Sequence, residues 1–100
     1  QATIGLSDEI LEVLSVYGQR ADEQMIELNK MAQNCSNGPG MLKITQTEVD
    51  QLNRNMDELV SSLKENPSNS RVQTALIQNC KAKESLLNDV ILQEKIKKCN

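Results

Sequence analysis

Val49, Leu52, Met56, Leu59 and Leu63 recur at steps of three, four, three and four, the seam of a packed helix. A half-buried strand would alternate with period two, so this spacing commits the segment to helix. The same rhythm runs earlier through Ile10, Leu14, Tyr17, Ala21, Gln24, Leu28, Met31 and Cys35, and Leu11, Gly18, Met25 and Ala32 widen that stripe. Later, Val72, Ala75, Leu76, Cys80, Leu86, Leu87, Val90 and Ile96 give a third apolar face, interrupted by Asn79 and Lys83. The chain shows no strand alternation, no internal repeat and no low-complexity tract.

Local signals divide the three rhythms. Ser7 suits an N-cap, with Asp8 and Glu9 in the first turn, where they favour the positive helix end. A first helix is expected over about 7–34. Within it, Gly18 is expected to let a neighbouring helix approach closely. Asn37-Gly38-Pro39-Gly40 predicts the end of that helix, followed by a linker to Ile44. Thr45-Gln46-Thr47-Glu48 fits a capping box, with Ile44 and Val49 as its hydrophobic staple. A second helix is therefore expected over about 45–65. Asn66-Pro67 predicts a tight break, with Asn66 as cap, Pro67 in the first turn, and Ser68 and Ser70 as rival caps. The third helix is expected over about 67–97. Short connections favour antiparallel neighbours. The expectation is one all-α domain over 1–100, a three-helix antiparallel (up-down-up) bundle with coiled-coil-like packing.

Composition narrows the function classes. The 100 residues suit a single core. The chain has no His, Trp or Phe and one Tyr, Tyr17, so the core must be aliphatic. A net charge of −3 argues against bulk nucleic-acid affinity. The late lysines Lys81, Lys83, Lys95, Lys97 and Lys98 complement the negative end of a helix. No apolar run approaches the ~18 residues of a membrane span. The carboxylates, Glu84, Asp89 and Glu94 included, fall on expected polar faces and are read as solvated. Gly38-Pro39-Gly40 follows no strand, which disqualifies it as a phosphate loop. No catalytic constellation, metal loop or cofactor motif is visible, and no cofactor is expected. Asn34-Cys35-Ser36 matches a glycosylation sequon, which matters only in a secretory setting.

The cysteines number three, with no C-x-x-C pair. In an up-down-up bundle, helices one and three point the same way. Cys35 and Cys99 then lie toward one end and can bond in an oxidising compartment, closing a loop worth on the order of 4 kcal/mol. Cys80 sits about five turns earlier on the apolar face and is read as a buried thiol. In a cytosolic chain all three would stay reduced.

The apolar surplus points to protein contact. Val16 and Ile26 lie off the first seam, and Ile77, Ile91 and Leu92 off the third. A second helix of about 21 residues spans roughly 30 Å and a third of about 30 residues roughly 45 Å. The last turns of helix three would then overhang helix two and leave Leu92 and Ile96 uncovered. Ile77, Leu87, Ile91, Leu92 and Ile96 are the candidate partner-contact residues. They suggest a non-enzymatic interaction module or adaptor binding partner proteins through helix three. Self-association into a larger structure is the alternative. At Glu65-Asn66-Pro67-Ser68-Asn69 the chain resembles the subunits of type III secretion needles, helical hairpins broken at an Asn-Pro turn. That likeness spans roughly residues 45 to 98 and lacks the second Pro and the aromatic residues of that turn. Size and rhythm also resemble trafficking adaptor bundles such as GAT domains. Neither resemblance transfers a functional residue.

Overall fold

The structure, a computed structural model, describes residues 5–97. Three helices follow one another, α1 (Asp8–Ala32), α2 (Gly38–Glu65) and α3 (Ser70–Lys97). They pack on each other as an all-α three-helix bundle, and the described residues contain no strand.

The start of α1 follows its sequence signals. The Ser7 Oγ accepts the Ile10 backbone N–H at 3.3 Å, satisfying one of the orphan donors of the first turn. The end comes at Gln33, whose N–H returns to the Asn29 carbonyl.

The start of α2 differs from expectation by almost two turns. Gly38, Pro39 and Gly40 open this helix instead of preceding a linker. Pro39 stands where a missing N–H costs nothing, because the first helical donors have no intrahelical partner. Thr45 consequently caps nothing. It is buried inside α2, and its Oγ1 donates to the Met41 sulfur at 3.8 Å. Position 45 continues the 49, 52, 56, 59, 63 seam one step backward, so the packing rhythm prevails over the cap signature.

The α2–α3 connection also shifts. Asn66 closes α2, donating its backbone N–H to the Ser62 carbonyl at 3.0 Å. The cap of α3 is Asn69, in place of Asn66, Ser68 or Ser70. Its Oδ1 accepts the N–H groups of Arg71 and Val72 at 3.1 and 3.2 Å. Pro67 thus sits in the turn and not in the helix.

These shifts make α2 and α3 equal at 28 residues each. The expected overhang of helix three does not exist, since both span about 42 Å from one tight turn. Along their groove Ile44 stands near Val90, Leu52 near Leu86 and Met56 near Cys80, so the two run antiparallel. Arg20 pairs with Glu84 and Gln24 with Asn88, each 64 positions apart. Glu27 pairs with Lys95 further along, so residue numbers rise together on the two helices and α1 and α3 are parallel. The result is an up-down-up rod of 50 × 23 × 19 Å with α3 packed on both partners.

The interior divides along the rod. One cluster joins Ala21, Leu28, Val49, Leu87 and Ile91 near the α1–α2 corner. The other joins Ile10, Leu63, Leu76 and Cys80 near the α2–α3 turn. Leu28, Leu63, Leu76 and Leu87 are fully enclosed, each contributing about 1.5–3 kcal/mol of hydrophobic stabilisation. Between the clusters the helices are joined by polar contacts: Asn79 to the Leu52 carbonyl and Lys83 to Asn53, both at 2.9 Å.

Candidate interaction surface

The candidate contact residues on α3 separate into two groups. Leu87 is 0% exposed and Ile91 7%. Both belong to the cluster beside the α1–α2 corner, so neither is available to a partner. Ile77 is half-buried and packs on the other cluster. The physical reason is that α3 touches two neighbours at once, which widens its buried stripe beyond a single seam. Leu92 and Ile96 behave differently. They are 57% and 71% exposed. At a spacing of four they share one helix face. Glu84, Asn88 and Lys95 mark the α1-facing side of α3 through Arg20, Gln24 and Glu27. Asn79 and Lys83 mark the side facing α2. At 100° per residue, Leu92 and Ile96 project away from both sides.

Val16 and Ile26 are exposed on α1, as their off-seam positions imply, at 40% and 56%. Ten residues apart, they form no continuous patch. Ile44 is 65% exposed. It was read as a staple residue ahead of a helix, and its exposure follows from the earlier start of α2. It borders a groove shared with Val90, Gln93, Glu94 and Lys97.

Glu94 was read as solvated and is instead 4% exposed. Its Oε2 lies 3.4 Å from the Lys97 ammonium. The signal was present in the spacing, since Cys80, Leu87 and Glu94 recur every seven residues on one face. A carboxyl at that position stands beside a cation instead of contributing apolar area.

Gly18 does not serve a close helix approach. A Cβ built there meets nothing within 4 Å. The close approach lies at Gly38, where a Cβ would stand 2.7 and 2.8 Å from the Ala32 backbone carbon and Cα, and nearer still to its oxygen.

Cys35 is disulfide-bonded, and Cys80 is a buried free thiol. Cys99, the expected partner of Cys35, lies outside the described residues. Burial pushes the Cys80 thiol above its ordinary value of 9.0, against a smaller opposing effect of the Lys83 charge. A raised thiol value disfavours the reactive thiolate. Among the described residues no group of three or more His, Cys, Asp or Glu side chains is placed to hold a metal ion. No helix among them is long and apolar enough to cross a membrane. No family model, curated protein or solved structure matches this chain.

Proposed function

We propose that this chain is a non-enzymatic helical interaction module whose contact face is the outer side of α3 around Leu92 and Ile96. The observation that supports the reading is the exposure of these two aliphatic side chains on a helix whose remaining large apolar residues are packed away. An apolar pair at i and i+4 supplies part of the i, i+3, i+4, i+7 anchor pattern of helix-in-groove recognition. The opposite, buried side of α3 holds the bundle together, so contact on the outer side leaves the fold undisturbed.

The test is the Leu92→Asp/Ile96→Asp double variant. Exposed substitutions away from packed features change stability by about 0.5 kcal/mol or less, so its melting curve should overlay that of the unaltered chain. The unaltered chain should form a complex of fixed stoichiometry with a native partner, purified reciprocally from either component, and the variant should not. A complex that survives the double substitution refutes the contact face. Growth of the unaltered chain without limit as concentration rises would support the assembling subunit instead.

We further infer that Cys35 bonds Cys99 within the same chain. Cys35 is disulfide-bonded and Cys80 is free, so Cys99 is the one remaining cysteine of the sequence that can pair with Cys35 in the same chain, and the parallel course of α1 and α3 supports that pairing. In this reading the bond fastens the α1–α2 corner to the end of α3, beyond the contact face.

A further inference from the structure

We propose that the cleft at mid-height of the rod is a binding site for a small aromatic carboxylate. The cleft measures about 160 Å³ and lies where all three helices meet, against the cluster that holds Cys80. An engineered apolar cavity of about 150 Å³ accepts benzene, which makes a single six-membered ring the size match.

The wall chemistry fits a ring. Leu14, Tyr17 and Met56 line the cleft. The Met56 thioether suits contact with an aromatic ring, and Tyr17 offers a stacking surface. Gly18 stands at the edge, and the open space at its missing Cβ leaves the entrance clear.

The polar side fits an anion. Lys83 is the only charged residue among those lining the cleft. In a chain of net charge −3, this gives the cleft a sign opposite to the surface at large. The Lys83 Nζ donates to the Asn53 Oδ1 at 2.9 Å. An ammonium carries three protons, so two remain for a ligand carboxylate. Asn79, held by its bond to the Leu52 carbonyl, adds a polar side chain on the same side. A few convergent polar groups over an apolar wall are the usual make-up of a small-molecule site.

The probe is benzoate, with benzyl alcohol as its uncharged counterpart, titrated into the full chain and followed by amide NMR shifts. Benzoate should produce saturable shifts confined to residues around Leu14, Gly18, Met56 and Cys80, and should slow alkylation of the Cys80 thiol. Lys83→Met should weaken benzoate about tenfold, as loss of a charge-assisted bond implies, and leave benzyl alcohol unchanged. Gly18→Leu, at an exposed helix position, should block both without lowering the melting temperature. Absent or non-saturable benzoate shifts overturn the proposal. So does equal binding of benzoate by the Lys83→Met protein, or binding of benzyl alcohol as tight as that of benzoate.

Discussion

Gly18 and Gly38 test the packing with one chemical change of opposite sign. Gly18 lies inside α1, and its Cβ would meet nothing within 4 Å. Gly18→Ala therefore removes only the entropic cost of glycine in a helix. The expected gain is about 0.5–1 kcal/mol, or roughly 4–8 °C per kcal/mol for a domain of this size. Gly38 opens α2 directly beneath the end of α1. A Cβ there would lie 2.7 and 2.8 Å from backbone atoms of Ala32 and closer still to its oxygen. Backbone cannot swing aside as a long side chain can, so Gly38→Ala must part the corner between the helices. The expected cost is about 1–3 kcal/mol, the usual range for overpacking. Thermal and urea melts followed by circular dichroism, with all three proteins oxidised alike, give both values. Two shifts of the same sign would refute the corner geometry, and a silent Gly38→Ala would show that α1 and α2 do not meet there.

Leu87→Ala should cost about 2–5 kcal/mol in urea unfolding, because it empties a fully enclosed core site. Thr45→Val should be neutral or stabilising in the same assay, since it removes a buried hydroxyl whose contact is a weak bond to sulfur. Asn69→Ala should cost about 0.5–2 kcal/mol through loss of the α3 cap. Well below pH 9.0 Cys80 is a neutral thiol in both states. Above it the unfolded chain ionises before the native one, so the unfolded state holds fewer protons and stability falls as pH rises. Cys80→Ala should flatten that alkaline decline relative to the unaltered chain, and an unchanged slope would refute the burial of the thiol.

The three helices were legible because each carries a long apolar period, and Leu28, Leu63, Leu76 and Leu87 stand on those periods and in the core. The starts of α2 and α3 were not. At α2, local chemistry and packing rhythm disagreed: Thr45 satisfied a capping pattern and also continued the seam, and burial of the seam prevailed. Pro39 was read as a terminator although the same residue is well suited to opening a helix. At α3, Pro67 offers a helix-opening signal that competes with Asn69, whose short amide reaches two backbone donors. The proposed contact face was half legible. Leu92 and Ile96 fall off the buried stripe, but the two-sided packing of α3 draws Ile91 and Leu87 inward, which no single-helix pattern reveals. Glu94 was hidden for the converse reason, since a charge at a core spacing reads as surface until its heptad mates are known to be buried.

The parallel register of α1 and α3 underlies the account, and disulfide mapping tests it most directly. The chain is alkylated under denaturing, non-reducing conditions, digested, and its linked peptides sequenced by mass spectrometry. The account predicts one alkylated thiol, Cys80, and an intrachain peptide pair joining Cys35 to Cys99. A bond engaging Cys80 within one chain would contradict the register, because Cys80 stands at mid-height of the rod, ten residues into α3, whereas Cys35 lies at the α1–α2 corner.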